Sequence, residues 1–275
     1  MSLARRPGPV TRTRVTELRG QQRLQHEDRL ATEEPLEIRI SSPGAPPRRA
    51  GVTMRTPGHD FELAAGWLVH EGITLPEHVD AVRYCTDVRL AREQEFNVVT
   101  VDLAAPPLLE PDARAVSSAC GVCGKDSIEA VLRPVGHDTE DLTVPVDLVR
   151  ALPDKLRAEQ AGFDRTGGLH AAGLFEVDGS TVVVREDVGR HNAVDKVVGA
   201  RVLARQPVPP VLVLSGRIGF ELVQKAVVSG ITVVVAVGAP SSLAVQLATE
   251  ADLTVVGFTR PDRCVVYAGA GRVGV

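Results

Sequence analysis

Val211-Leu-Val-Leu214-Ser-Gly-Arg217-Ile-Gly219, Ile231-Thr-Val-Val-Val-Ala-Val237-Gly-Ala-Pro-Ser-Ser242 and Leu253-Thr-Val-Val-Gly257 share one design. Each is a short apolar run too brief for a helix, and the first two close on a Gly-rich turn. Helix-length stretches fill the gaps between them. Strands that alternate with helices are the pattern of βαβ units, in which a crossover helix returns the chain to the next parallel strand. Composition agrees: 44% of residues are hydrophobic but only 3% aromatic, so the core must be built from Val, Leu, Ile and Ala. Such a core suits strands covered on both faces. The expected fold is α/β, a mixed, largely parallel sheet flanked by helices, with a smaller α+β domain ahead of it.

Working outward, His170 to Val177, Asp178-Gly179 and Thr181 to Arg185 read as a hairpin, since Asp-Gly accepts the positive φ of a tight turn. Pro145 to Arg157 is a helical stretch, kinked or broken at Pro153. Further upstream, Leu36-Glu-Ile-Arg-Ile40 alternates as a strand, Pro43 to Pro47 reads as a turn, and Val52 to Arg55 as the returning strand. A helix follows Pro57-Gly58 with Phe61, Ala64, Ala65, Trp67 and Leu68 on its apolar face, leaving His59 and His70 at the surface. Val79 to Cys85 and Phe96 to Leu103 are further strands, and the proline-rich linker Ala105 to Pro111 marks a boundary. The expected organisation is an N-terminal tail or arm over 1–34, a small α+β domain over 35–110, a mobile loop over 111–125 and the larger domain over 126–275. Asp126-Ser-Ile-Glu129 carries a capping-box pattern that opens a helix.

Charge narrows the function. The 31 basic and 35 acidic residues give a net −4, which offers nothing for wrapping nucleic acid or coating a membrane. The first 30 residues carry seven Arg but no apolar stretch of signal-peptide length, and no later run is long enough to span a bilayer. The expectation is a soluble, cytoplasmic protein, and any anion site in it must be local.

Four cysteines are too few for a disulfide scaffold. Cys85 and Cys264 stand alone in apolar, strand-like surroundings and read as small buried hydrophobes. Cys120 and Cys123, in Ser117-Ser-Ala-Cys120-Gly-Val-Cys123-Gly-Lys125, differ: glycines surround them, a helix start follows and Lys125 is adjacent. A thiol titrates near ~8.5, and a helix N-terminus or a cation can lower that to roughly 3.5–7.5, giving a thiolate at neutral pH. A zinc site would need two more ligands, yet there is no second Cys-x-x-Cys and no paired histidines at ligand spacing. Deaminase chemistry would need a His-x-Glu, which the chain lacks. A thiol-disulfide oxidoreductase is the rival reading, although the double-glycine flanks favour a mobile loop over a rigid disulfide.

The loops that follow the strands form a second group: Arg185-Glu-Asp-Val-Gly-Arg190-His191-Asn192, Ser215-Gly-Arg217-Ile-Gly219 and Gly238-Ala-Pro-Ser-Ser242. All three should lie on one edge of the sheet. In open α/β sheets ligands bind beyond the carboxyl ends of strands, where helix N-termini present free amides to anions. Arg190 and Arg217 add charge, so a phosphate-bearing ligand is indicated. No loop matches a P-loop or a dinucleotide fingerprint. Arg outnumbers Lys 27 to 4, yet Lys125, Lys196 and Lys225 fall beside these motifs, as though a compact ammonium were wanted there. His170 and His191 are the histidines in motif-like settings, each able to donate to a phosphate or to be structural. Phe258-Thr259-Arg260-Pro261-Asp262-Arg263 could hold a base or a phosphate with one ring and two guanidiniums, or simply form a turn.

Taken in order, Thr56-Pro-Gly-His-Asp60, Cys120-Gly-Val-Cys123-Gly-Lys125, Thr166-Gly-Gly-Leu-His170, Arg185-Glu-Asp-Val-Gly-Arg-His-Asn-Ala-Val-Asp-Lys196 and Ser215-Gly-Arg217 resemble the formate dehydrogenase accessory sulfurtransferase family over roughly residues 35 to 268. The resemblance implies a carrier that takes sulfur from a cysteine desulfurase as a persulfide. That sulfur is passed to the molybdenum cofactor, Mo-bis-guanine dinucleotide, and formate dehydrogenase becomes active. It further implies a cytidine deaminase-like larger domain without deaminase chemistry, a symmetric homodimer and no metal of the protein's own. Cys120 matches the persulfide-bearing position, Cys123 the second cysteine, and Phe258 to Arg263 the guanine-nucleotide segment; joined to the loop reading, Arg190, His191, Arg217 and Arg263 are expected to hold phosphates or base. Pro261-Asp262 departs from the pattern, because a carboxylate there suits a purine edge and not a phosphate. A cofactor-binding chaperone with no sulfur chemistry is the other alternative.

Overall fold

The computed structural model describes residues 7–85, 96–110 and 142–274. Within residues 142–274 the core is a six-stranded sheet. Its strands are β8 (His170–Phe175), β9 (Thr181–Asp187), β10 (Val211–Leu214), β11 (Val233–Ala236), β12 (Thr254–Arg260) and β13 (Arg263–Ala268), in the order β13-β12-β11-β10-β8-β9. The three apolar runs are the parallel centre, β10 beside β11 beside β12. The sheet is mixed, but less parallel than expected. The β8–β9 and β12–β13 hairpins attach antiparallel neighbours, and β8 also runs antiparallel to β10. Two local turns therefore outweighed the crossover pattern: one holds Gly179 at φ +75°, and the other is the Pro261-Asp262 tip.

Helix α2 (Val146–Ala158) covers one face, packing Val149, Leu152 and Leu156 on Val211, Val213 and Val235. The short α3 (Ala161–Thr166) follows it. Helix α2 runs unbroken through Pro153, which is buried, so the expected break does not occur. On the other face lie α4 (Arg190–Leu203), α5 (Phe220–Val228) and α6 (Ser242–Glu250). The outermost pairing, β7 (Val144–Pro145) with β14 (Val273–Gly274), closes the chain end over α2.

The second sheet is four-stranded, β4-β3-β6-β5, with β3 (Glu34–Ser42), β4 (Ala45–Arg55), β5 (Val79–Tyr84) and β6 (Val98–Leu103). Alternation puts Leu36, Ile38 and Ile40 of β3 into the core. The turn expected over residues 43–47 is shorter, since β4 begins at Ala45 and includes Pro46 and Pro47. As an edge strand it tolerates residues that cannot donate to a ladder. Helix α1 (Asp60–His70) packs against both this sheet and α4. The apolar face expected is buried, and burial extends to nearly all sides from Leu63 to His70, so His70 is not the surface residue expected.

The contact between α1 and α4 joins the two sheets, and it is made by glycine. A Cβ on Gly66 would lie 2.0 Å from the Asp195 carbonyl oxygen, and one on Gly199 would lie 1.8 Å from that of Glu62. The backbones therefore touch, and one continuous apolar core runs from Leu36 through Leu68 and Val197 to Val234. Residues 10–31, expected as a tail or arm, form the antiparallel hairpin β1 (Val10–Arg19) with β2 (Gln22–Ala31), whose second strand is exposed along almost its whole length.

Candidate functional site

Strand direction decides where the candidate loops fall. Because β8 is antiparallel to both β9 and β10, those two strands run the same way, and β11 and β12 run with them. The loops at 188–190, 215–219 and 237–241 and the β12–β13 tip thus share the carboxyl edge of the sheet. Hydrogen bonds stitch three of them in series: Ile218 N to Ala239 O at 3.0 Å, Ser241 N to Ile218 O at 2.9 Å, Gly238 N to Gly216 O at 3.1 Å and Phe258 N to Gly238 O at 3.1 Å. Gly238 permits this, since a Cβ there would meet the Gly216 oxygen at 2.7 Å. Helix α6 is capped by Ser241, whose Oγ accepts from Ala244 N, whereas α4 and α5 start at Gly189 and Gly219 with no side-chain cap. Their first amides face the edge as free donors.

The long motif from Arg185 to Lys196 divides into structural and open members. Arg185 grips Glu62 of α1 with two bonds, at 2.6 and 2.7 Å. Burial would raise the Glu62 carboxyl, but the Arg185 and His59 partners hold it down at about 2. Glu186 accepts from the amides of Gly162 and Phe163 at 2.6 and 2.7 Å and so caps α3. The buried Asp187 accepts from Thr56 N, Gly189 N, Asn192 Nδ2 and, at 2.6 Å, the Lys196 ammonium. Lys196 directs its other donors to the carbonyls of Thr56 and Glu186. A point ammonium with three donors fits this socket where a planar guanidinium would not. Thr56 returns the contact, its Oγ1 accepting from Val188 N, and Asn192 donates to Met54 O. These residues lock the 54–60 segment to the large sheet.

Lys225 has a similar place. Its ammonium lies 2.6 Å from Asp195 Oδ1, which His70 Nδ1 also meets at 2.5 Å, while His70 Nε2 takes the Ser229 hydroxyl at 2.7 Å. Burial and the Lys225 charge push the His70 pKa below its usual range, and because an ionised carboxylate can only accept, Nδ1–H donates to Asp195. His191 is held by Glu221, Nε2 to Oε2 at 3.0 Å. Next to Thr56, Arg55 is fully buried and binds Asp60 through Nε and Nη2 at 3.0 and 3.3 Å.

What remains is open. Among the described residues the side chains of Arg190, Arg217 and Arg263 enter no hydrogen bond or ion pair. Arg260 hydrogen-bonds the Val237 and Thr259 carbonyls. Phe258 is exposed in the left-handed region at φ +49°, a conformation uncommon for a bulky residue. The Thr259 hydroxyl is buried without a partner. Pro261 and Asp262 form the exposed hairpin tip. Between the loops bearing Arg190 and Arg217 lies His170, the first residue of β8, against Gly216. Burial and then the charges of Arg190 and Arg217 push its pKa down, opposed by Asp187. The sequence marks His170 only by its motif-like setting; the sheet order alone places it between two loops far apart in the chain. Cys120, Cys123, Lys125 and the helix expected from Asp126 lie outside the described residues.

The fold is thus a mixed-sheet α/β architecture that gathers free guanidinium groups and two uncapped helix starts on one strand edge. This chain belongs to the FdhD/NarQ family, whose model matches residues 31–274. Its relatives include proteins named sulfur carrier protein FdhD, from Streptomyces coelicolor (49% identical, covering 98% of this chain and 97% of that one) and Mycobacterium tuberculosis (46%, covering 94% and 97%). A solved structure assigned as a formate dehydrogenase accessory protein, from Desulfotalea psychrophila, shares the fold at 24% identity. It has a TM-score of 0.77 and covers 97% of this chain and 100% of that one.

Proposed function

We propose that this chain is a cytoplasmic sulfur carrier for formate dehydrogenase, with Cys120 as the carrying thiol and the molybdenum cofactor, Mo-bis-guanine dinucleotide, as the acceptor substrate. The observation that carries the reading is the pair of free guanidiniums, Arg190 and Arg217, beside two uncapped helix starts. An acceptor rich in phosphates is what such an edge would hold. Phe258 offers a ring for the guanine, and Thr259, Arg260, Pro261, Asp262 and Arg263 frame it, with the Asp262 carboxylate toward a purine edge. His191, held by Glu221, stands behind Arg190.

In the first step the Cys120 thiolate attacks the outer sulfur of a persulfide on a cysteine desulfurase. A new S–S bond forms at Cys120 as the donor's S–S bond breaks, and the donor leaves as a thiolate. In the second, the Cys123 thiolate attacks Cys120 Sγ. The outer sulfur departs with both bonding electrons as hydrosulfide, reduced to the sulfide level that a metal sulfide needs, while Cys120 and Cys123 are oxidised to a disulfide for an external thiol to reduce. The larger unit, read as cytidine deaminase-like, and a homodimer complete this proposal.

The test is intact-mass analysis after incubation with a cysteine desulfurase and cysteine. A reducible gain of one sulfur, lost in Cys120→Ala and kept in Cys123→Ala, is the expected result. Wild type that gains nothing and instead loses two hydrogens on oxidation would favour a dithiol oxidoreductase. Formate dehydrogenase activated normally by Cys120→Ala would leave only a cofactor chaperone.

A further inference from the structure

We propose that His170, Arg190 and Arg217 form a single site for a phosphoryl group, with His170 as its third member. The inference rests on reading the strand edge as the acceptor site, and it assigns one part of that ligand to three named side chains.

Sheet order brings the three together. In the sequence β9-β8-β10, the central strand begins at His170 just where its two neighbours end. Asp187 of β9 stands opposite His170, and Leu214 of β10 opposite Ala172. The chain leaving β9 reaches Arg190 in three residues, and the chain leaving β10 reaches Arg217 in three. Alternation along β8 puts His170 on the side of Ala172 and Leu174, the face covered by α4 and α5; Arg190 opens α4 and Arg217 lies in the loop that leads into α5. Gly216 leaves the imidazole room, for a Cβ there would come within 3.3 Å of Nδ1.

The charges around this point do not cancel. Among the described residues the carboxylates of these loops already have partners: Asp187 has Lys196, Glu186 the start of α3, and Glu221 has His191. Two guanidiniums thus remain against a half-buried imidazole, and burial, reinforced by their repulsion, lowers its proton affinity. The groups facing His170 are Arg190 from α4, Arg217 from the β10–α5 loop and Asp187 from β9, the last neutralised by Lys196. Guanidinium forks match the oxygens of a phosphoryl group, and an imidazole can share the proton that such a group carries near neutrality. A bound dianion reverses the repulsion. His170 should then take up a proton on binding, so that affinity rises as pH falls through the interval between its free value, below the ordinary 6.5, and its higher bound value.

Calorimetry of the full-length chain with guanosine 5′-monophosphate, inorganic phosphate and guanosine tests this. Titrations in two buffers of different ionisation enthalpy count the protons taken up. Wild type should bind the monophosphate and not guanosine. Arg190→Ala and Arg217→Ala should each weaken binding roughly tenfold or more, and His170→Gln should abolish proton uptake in excess of the ligand's own. Circular dichroism shows whether each variant is folded, and Arg205→Ala, whose exposed side chain meets only Asp80, is the control for lost charge. Inorganic phosphate bound nearly as tightly as the nucleotide would make free phosphate the ligand of the site. Binding of guanosine equal to that of the monophosphate, absence of any binding by wild type, or folded variants that bind and take up protons as wild type does, would each overturn the proposal. Sulfur loading of Cys120 is read separately. Loading without phosphate binding removes this site alone, and phosphate binding without loading removes the carrier reading alone.

Discussion

At the scale of single residues, the motifs that attract attention for chemistry turn out to be largely buried architecture. The sequence made Lys196 and Lys225 suspects because lysine is scarce, and each is a buried ammonium on a buried aspartate. Lys196→Met should therefore leave Asp187 charged and short of its partner, a change that costs about 3–5 kcal/mol, measured by urea denaturation. A loss below 1 kcal/mol would mean that Asp187 is satisfied by its amide donors alone. Glu62 gives a pH test. Its carboxyl is held at about 2 against an ordinary 4.5, so its contribution to stability is complete above 4.5 and fades as pH falls toward 2. Glu62→Gln should be less stable than wild type at pH 6, with the gap closing across that window in pH-dependent unfolding. A gap that stays constant to pH 2.5 would remove the Arg185 pair as its cause. None of these partnerships was legible in the chain, since each joins residues 100 or more positions apart or on separate elements.

At the scale of elements, periodicity identified strands and helices well and environments poorly. Leu36, Ile38 and Ile40 alternate in the sequence and are buried in the structure. Helix α1 showed an apolar face but not that α4 would cover its other side, because that contact depends on two glycines whose spacing carries no helix signal. Likewise β8 and β9 were legible as a hairpin, whereas their insertion beside β10 was not, and with it went the sheet's true strand directions. The glycine crossing predicts that Gly66→Ala and Gly199→Ala each force the helices apart. The cost should be at least the ~1–3 kcal/mol of an overpacked core, because the obstruction is a backbone carbonyl and not a side chain that can turn away. Thermal melts read this directly, and either variant melting within a degree of wild type would show that α1 and α4 do not meet so closely.

At the scale of the whole molecule, the proposed holding of an acceptor and carrying of sulfur fall to different stretches of the chain. The proposed acceptor edge lies within residues 170–263, on a sheet whose loops are bonded to one another. The cysteines belong to a different stretch of chain, legible from the sequence as a glycine-flanked dithiol. If the two thiols divide the labour as proposed, Cys120 alone accepts sulfur and Cys123 is needed only to expel it. Cys123→Ala should then load one sulfur on Cys120 as fast as wild type, but hold it, since no second thiolate can displace it as hydrosulfide. In a time course by intact mass, wild-type persulfide should decline with the appearance of a species two hydrogens lighter than the reduced protein. The Cys123→Ala persulfide should persist until an external thiol is added. Equal decay in both proteins would place the reducing thiol outside this chain and leave Cys123 without a part in release. Failure of Cys123→Ala to load would mean that sulfur enters at Cys123 and reaches Cys120 second, reversing the order of the relay while keeping its two steps.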